Sequence, residues 1–121
     1  MTIPAPADLQ ALMPLAATLG IEFVDVGPER VTARLDWAER LCTSGGLLHG
    51  GVLMALADST GAACAFLNLP EGAGGTTTVE SKTNFLRGVR SGRIEAVSVP
   101  LHRGRTVIVV DTTITDADGR L

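Results

Sequence analysis

The stretch VLMALADSTGAACAFL constrains the fold of this 121-residue chain more than any other part of its sequence. It occupies residues 52–67, follows two glycines, and carries one charged side chain, Asp58. Its length and composition predict a long helix that begins near Gly50 or Gly51 and ends before Pro70. Because the helix is apolar on nearly every side, we expect it to be buried, with a small-residue centre that other elements can approach closely.

The first third of the chain predicts a helix and a hairpin. Residues 7–18 have helical leucine spacing, which Pro14 interrupts. Residues 20–36 alternate apolar and polar positions on either side of a GPE turn, as a β-hairpin does, and residues 37–46 predict a loop.

The last third is typical of β-structure. Residues 76–86, TTTVESKTNFL, have the threonine content and alternation of a strand. Residues 92–102 and 105–115 predict two more strands with an RGR turn between them, and DADG is a further turn signal. These elements predict an α+β fold, one domain over residues 1–121, in which one helix lies across an antiparallel sheet.

The composition excludes several classes of protein. Hydrophobic residues make up 45% and charged residues 19%, so the chain can build a core. No apolar run reaches the roughly 20 residues that span a bilayer, so we expect no membrane segment. The start, MTIPAPADLQ, lacks the regions of a signal peptide. Two cysteines without a CxxC motif favour a reducing, cytoplasmic location.

The net charge of −3 is unevenly distributed. Residues 1–80 hold three arginines against nine acids, whereas residues 81–121 hold seven bases against four acids. The basic cluster is either a solvated face or a site for a small phosphorylated ligand. Nucleic acid is excluded as a partner because the chain has no Tyr, one Trp and three Phe, too few for stacking. The cluster comprises Lys82, Arg87, Arg90, Arg93, Arg103 and Arg105.

Asp58 is the first candidate for chemistry. Its neighbours three and four residues away along the helix are Met54, Ala55, Gly61 and Ala62, none of which can pair with its charge. A buried, unpaired carboxylate is costly. Asp58 therefore either hydrogen-bonds a neighbouring segment or faces a cleft, where it would act as a base or nucleophile.

The His49-Gly50-Gly51 sequence is the second candidate. Glycines at a helix start allow close approach to the backbone, and the free N–H groups there favour an oxyanion. The alternatives are an ordinary turn and a structural histidine. Nine residues of helix span about 13–14 Å, so Asp58 and Gly50 of one chain are too far apart to act on one small group. If both act, they come from different subunits across a two-fold axis.

Other chemistries lack the required residues. Cys64, with His49 or His102, is a poor nucleophile candidate because nothing nearby would lower the pKa of its thiol. Two histidines and scattered acids form no metal-binding motif, and there is no P-loop or GxGxxG sequence. We expect neither a metal nor a cofactor.

Two segments together resemble the hotdog-fold acyl-CoA thioesterases, and most of all their PaaI-like branch. They are LLHGGVLMALADSTGA and the stretch from TTTVESKTNFLRG to GRTVIVVDTTITDADGRL, and the resemblance covers roughly residues 20–121. It implies a long helix wrapped by an antiparallel sheet, subunits that pair their sheets edge to edge, and active sites at the dimer interface. The assembly would be a homodimer or a dimer of dimers.

The resemblance also assigns roles. Asp58 matches the catalytic carboxylate, Gly50 the residue whose backbone N–H polarises the thioester carbonyl, and His49 the histidine that supports this loop. Thr78 matches a hydroxyl position that faces the acid and helps to place water. The expected substrate-binding residues are Thr43, Gly51, Ser59, Arg87, Arg90 and Arg105.

The sequence departs from the family pattern twice. Thr43 stands where members often have Asn, and a hydroxyl cannot replace both ends of an amide. Members also continue past DADGRL with another strand, so this form either manages without that strand or the sequence is incomplete.

The predicted function is hydrolysis of a small or medium acyl- or aryl-CoA thioester to the acid and CoA, with Asp58 as base or nucleophile. One alternative is a non-catalytic acyl-CoA-binding hotdog module. A weaker alternative is a hotdog hydratase, which needs an Asp/His arrangement that this chain lacks. Release of free thiol distinguishes a thioesterase from both.

Overall fold

The computed structural model describes residues 2–121 as helices packed on one sheet. Its regular elements are α1 (Pro6–Leu12), α2 (Pro14–Leu19), β1 (Glu22–Val26), β2 (Val31–Asp36), α3 (Gly50–Phe66), β3 (Arg93–Arg103) and β4 (Ile108–Thr115). Two short 3-10 turns, Glu39–Leu41 and Ser44–Gly46, lie in the loop between β2 and α3. The predicted hairpin and long helix are therefore confirmed.

The four strands form one antiparallel sheet in the order β1-β2-β3-β4. Their register aligns Ala33 with Ala96 and Leu35 with Ile94, and all four side chains are buried on one face. Alternation along each strand directs every second residue to this face. The strands thus present a continuous apolar surface for α3.

Helix α3 packs across that face through one side only. Leu56, Thr60, Ala63 and Cys64 are its buried residues, and their spacing places them on one stripe of the helix. The Thr60 hydroxyl donates a hydrogen bond to the Leu56 carbonyl, 2.7 Å away, which satisfies this buried polar group. The expectation that α3 is buried all round is wrong: its opposite side faces a cavity.

Small residues do let a strand approach α3. A Cβ added to Gly61 would lie 3.7 Å from Thr112 Oγ1 and 3.8 Å from Val110 Cγ1, both on β4. Pro14 also acts as predicted. It begins a second short helix, because Met13 adopts a non-helical conformation (φ −118°, ψ 87°) between α1 and α2.

Residues 76–86 do not form the predicted strand. They follow an irregular path and pair with no strand among residues 2–121. Threonine-rich alternation favours an extended chain, but a strand also needs a hydrogen-bonding neighbour. β4 could have been that neighbour, but a cavity separates it from this segment.

The last strand begins three residues later than predicted, at Ile108. Residues 104–107 close a turn in which the Gly104 N–H donates to the Val107 carbonyl, 2.9 Å away. This turn is longer than the predicted RGR. Within residues 2–121, no helix is long and apolar enough to cross a membrane.

Candidate active site

A cavity of about 980 Å³ lies between α3, β4 and the irregular segment 76–86. Its α3 wall consists mainly of small or apolar residues, which are Leu53, Ala57, Gly61, Ala62 and Ala65. Asp58 lies on the same wall. The sequence-predicted carboxylate therefore faces this cavity.

One hydroxyl contacts the Asp58 carboxylate. Thr78 Oγ1 donates a hydrogen bond to Asp58 Oδ1 at 2.8 Å. None of the ion pairs formed by residues 2–121 involves Asp58, which is exposed to the cavity. Its second oxygen is thus open to a water molecule or a ligand.

The first turn of α3 has one uncommitted N–H group. The Gly51 N–H donates to His49 Nδ1 at 2.8 Å, and the Val52 and Leu53 N–H groups donate to the His49 carbonyl at 2.9 and 3.3 Å. The Gly50 N–H has no acceptor within the described chain, and geometry gives it none inside the helix. The positive end of the helix dipole reinforces this donor.

His49 is the N-cap of α3. Its Nδ1 accepts the Gly51 N–H, as the side chain of an N-cap residue does. A Cβ on Gly51 would lie only 2.9 Å from His49 Nδ1, so this cap requires glycine at that position. Side chains therefore lie close to both glycines, His49 against Gly51 and Phe85 against Gly50, whereas the approach of an oxyanion stays a prediction.

Asp58 and Gly50 of one chain do not meet. Eight residues of α-helix separate them, which corresponds to about 12 Å. A thioester carbonyl bound at the Gly50 N–H would be out of reach of Asp58 in the same chain.

Three predicted substrate-binding residues lie along this helix and its approach. Thr43 lies in the loop before α3, where its N–H donates to the Leu47 carbonyl at 2.8 Å, and its side chain is exposed. The Gly51 N–H is occupied by the His49 cap. Ser59 follows Asp58 on α3 and makes no hydrogen bond to the carboxylate within residues 2–121.

Three members of the basic cluster are already engaged by other groups of the chain. Arg93 pairs with Asp36 at 2.7 Å, and its hydrogen bond lowers the pKa of that carboxyl. Arg103 pairs with Glu29 at 2.9 Å. Arg90 donates to the Gly45 carbonyl at 2.7 Å.

The remaining bases, Lys82, Arg87 and Arg105, form no ion pair within residues 2–121. Lys82 and Arg87 line the 980 Å³ cavity. Arg105 lines a second cavity of about 480 Å³ together with Leu69, beyond the carboxyl end of α3. The basic residues that are close together in the sequence therefore lie at different places in the structure.

Cys64 is fully buried on the sheet side of α3. Burial is the main influence on its thiol and raises its pKa, which disfavours the thiolate. The prediction that Cys64 is a small buried side chain without a lowered pKa is confirmed. Within residues 2–121, no three His, Cys, Asp or Glu side chains are grouped as a metal site would require.

Sequence reasoning missed one residue of the cavity, Phe85. A Cβ on Gly50 would lie 3.4 Å from both Cε1 and Cζ of its ring. The available signal was compositional: Phe85 is one of three phenylalanines in a chain that is only 3% aromatic, and it lies in a polar stretch.

The model of the thioesterase superfamily matches residues 45–121, a segment that includes the helix, the cavity and both candidate groups. The chain belongs to the thioesterase superfamily. It is a thioester hydrolase with the hotdog fold, which confirms the predicted family, fold class and enzyme type at that level.

Relatives of this thioesterase include the 1,4-dihydroxy-2-naphthoyl-CoA hydrolase of Escherichia coli. The two are 35% identical over 103 residues, which cover 85% of this chain and 75% of the relative. A thioesterase structure from Pseudomonas aeruginosa has a TM-score of 0.89 at 34% identity and covers 97% of this chain and 86% of its own. A Haemophilus influenzae thioesterase has a TM-score of 0.89 at 30% identity, covering 98% and 84%.

The His49 cap leads to a first prediction, on stability. His49→Ala leaves the Gly51 N–H without its acceptor and should lower the free energy of unfolding by about 1 kcal/mol, the usual worth of an N-cap. His49→Asn should retain most of that stability because its side-chain oxygen can accept the same bond. Urea denaturation measures both, with exposed His102→Ala as the matched control. Equal stability of His49→Ala and the wild type would contradict the capping role.

Proposed function

We propose that this thioesterase hydrolyses small or medium acyl- or aryl-CoA thioesters to the free acid and CoA. The observation that carries the proposal is the pairing of two features of α3. One is a free N–H at Gly50, and the other is a cavity-facing carboxylate at Asp58 held by Thr78. Thioester hydrolysis requires both an oxyanion donor and a base or nucleophile. The CoA ester in the name of the Escherichia coli relative supports the choice of CoA.

In the proposed mechanism the thioester carbonyl oxygen accepts the Gly50 N–H. As the tetrahedral intermediate forms, the negative charge that develops on this oxygen is stabilised by the N–H and the helix dipole. Because the N–H group and the helix dipole are already oriented before the reaction, little reorganisation is needed to stabilise this charge.

Asp58 has two possible roles that differ in the bond it forms. As a base, it takes a proton from water, whose oxygen attacks the carbonyl carbon; the C–S bond then breaks and the CoA thiolate leaves with a proton. As a nucleophile, its carboxylate oxygen attacks the carbon, the C–S bond breaks and CoA leaves as the thiolate, which gives an anhydride between the acyl group and Asp58. Water then hydrolyses this anhydride to the free acid and the Asp58 carboxylate. In either role, the Thr78 hydroxyl orients the carboxylate.

The two groups act together in a homodimer, in which Gly50 comes from one subunit and Asp58 from its partner. The separation of about 12 Å within one chain supports this arrangement, because a two-fold axis can bring each group opposite the other. Pairing of two dimers into a tetramer would be compatible with it. Two unpaired cysteines support a cytoplasmic location.

We propose that Arg87 and Arg105 bind the CoA phosphates. Both are free of ion pairs within the described chain, and a guanidinium can donate two parallel hydrogen bonds to phosphate oxygens. Arg90 is less available because it already bonds Gly45, and Thr43 remains a candidate for a polar contact to the substrate.

Replacement of the proposed catalytic carboxylate gives the second prediction. Asp58→Asn preserves shape and removes the charge, so kcat should fall by about two orders of magnitude or more, while the melting temperature and CoA-ester binding persist. Asp25→Asn, an exposed change on β1, is the control. A folded Asp58→Asn protein with wild-type turnover would end the assignment. A trapped acyl-enzyme, detected by mass spectrometry, would identify the nucleophilic role.

The shared site gives the third prediction. Gly50→Pro removes the free N–H at a position where helices accept proline, after a residue that already has extended backbone (His49 φ −63°, ψ 134°). Its kcat should fall by about 100-fold or more. Gly50→Ala, which keeps the N–H, is the control.

Mixing Gly50→Pro and Asp58→Asn subunits then tests the dimer. Each mixed dimer contains one intact site, so exchange of equal amounts should restore about a quarter of wild-type activity. Light scattering at micromolar concentration should give twice the 12.5 kDa chain mass or a multiple of it. An active monomer, or no recovery after demonstrated exchange, would refute a site shared between chains.

The fourth prediction concerns the phosphates. Arg87→Glu and Arg105→Glu should each raise KM for an acyl-CoA about tenfold, with a smaller effect on kcat, and added salt should imitate this effect. An acyl-N-acetylcysteamine thioester, which has no phosphate, should show unchanged KM. Arg30→Glu, in the β1–β2 turn, is the control variant. Unchanged KM for acyl-CoA in both variants would leave these arginines as a solvated face.

A further inference from the structure

Phe85 is the aromatic residue of the larger cavity. The other residues lining it are aliphatic, small, polar or charged. The ring is 52% exposed, although burial of a phenylalanine is strongly favourable. A large ring left open to a cavity, rather than packed in the core, is a candidate contact for a ligand.

The ring lies next to the proposed oxyanion donor. Two of its atoms, Cε1 and Cζ, are 3.4 Å from the point where a Cβ of Gly50 would be. A carbonyl oxygen held by the Gly50 N–H lies about 3 Å from that nitrogen. The ring and the proposed carbonyl position therefore lie beside the same residue, Gly50, which makes Phe85 a candidate contact for the groups bonded to the carbonyl carbon.

The α3 wall of the cavity favours the acyl group over the CoA arm as a neighbour of the ring. Leu53, Ala57 and Gly61 continue the cavity along α3 and offer no hydrogen-bonding side chain. The pantetheine arm of CoA carries amides that need hydrogen-bond partners, whereas an acyl chain or aryl ring does not. The space between Phe85 and this apolar wall therefore suits the acyl group.

We propose that Phe85 forms one wall of the acyl pocket and makes the enzyme selective for aromatic acyl groups. The proposal rests on the proposed function, because it uses the carbonyl position defined by Gly50. An aromatic ring gains an edge-to-face or offset-stacked contact with Phe85 that a saturated ring of the same carbon skeleton lacks. Gly50, Phe85 and the apolar wall of α3 all belong to one chain, so this pocket does not depend on which subunit supplies the carboxylate.

Benzoyl-CoA and cyclohexanecarbonyl-CoA form a matched pair for the test, because they share a carbon skeleton and differ in aromaticity. Free thiol released from each gives kcat/KM. The wild type should prefer the benzoyl ester, and Phe85→Leu should lower the benzoyl-to-cyclohexyl ratio about threefold to tenfold. Phe85→Tyr should keep the preference. Phe66→Leu is the control because Phe66 is also partly exposed, at 39%, but lines neither cavity.

Two outcomes would overturn the proposal while leaving thioesterase function intact. The first is equal kcat/KM of the wild type for the two esters. The second is a ratio that Phe85→Leu does not change, or a Phe85→Leu chain that loses both its assembly, measured by light scattering, and its turnover. Phe85 would then be a subunit-contact residue.

If the proposed function is wrong, the result is different: the protein binds the esters but releases free thiol from neither. Calorimetry on the wild type and on Asp58→Asn then gives the Kd values of both esters without turnover. A benzoyl preference in Kd that Phe85→Leu abolishes would support the Phe85 wall even then. No preference in Kd would reject it.

Discussion

The packing of one side of α3 against the sheet determines where every proposed reacting group lies. Leu56 and Thr60 are fully buried against β-strand residues. Each α-helical residue turns the chain by about 100°, so Asp58, two residues from each, points about 160° away from both. Burial of these two side chains therefore directs the carboxylate off the sheet and into the cavity. The apolar character of the helix stabilises the packing, and its one charged residue occupies the side that the packing leaves open.

The same helix supplies the electrophilic end of the proposed site. The first N–H groups of an α-helix have no acceptors inside it. In α3, those of Gly51, Val52 and Leu53 find an acceptor in His49, and that of Gly50 finds none among the described residues. His49 accepts from Gly51 through its ring and from Val52 and Leu53 through its carbonyl. The hydrogen bonds of this cap, rather than the presence of a helix end, are the reason why Gly50 is the proposed donor. Because both groups are on one helix, their separation is fixed, and the proposed mechanism therefore needs two chains to complete a site.

Local sequence patterns predicted the elements well, whereas long-range contacts were harder to predict. The bounds of α3 follow from the glycine pair and Pro70, and the hairpin follows from its alternation. Residues 76–86 have the composition of a strand, but strand formation depends on a neighbour that composition cannot supply. The hydrogen bond from Thr78 to Asp58 crosses twenty positions and was expected from a family resemblance, since nothing in the local pattern indicates it. The arginines form a cluster in the sequence, but closeness along the chain does not predict closeness in space. The turn at residues 104–107 separates Arg105 from Arg87.

The two adjacent glycines at this helix start have different neighbours. Gly51 lies against the capping His49, and Gly50 lies against Phe85, the proposed acyl-pocket residue. Gly51 lacks a Cβ so that the His49 ring can lie against it, which occupies one N–H group. Gly50 leaves room for the Phe85 ring, and its own N–H stays free. An alanine at position 51 would displace the capping ring and release a second donor, so the oxyanion would lose its single defined position. An alanine at position 50 would keep the donor but press on Phe85, at a distance of 3.4 Å that a small ring shift can relieve. In the proposed mechanism, the absence of a side chain at Gly50 leaves room beside the carbonyl, and the absence of one at Gly51 preserves the cap that leaves a single N–H free.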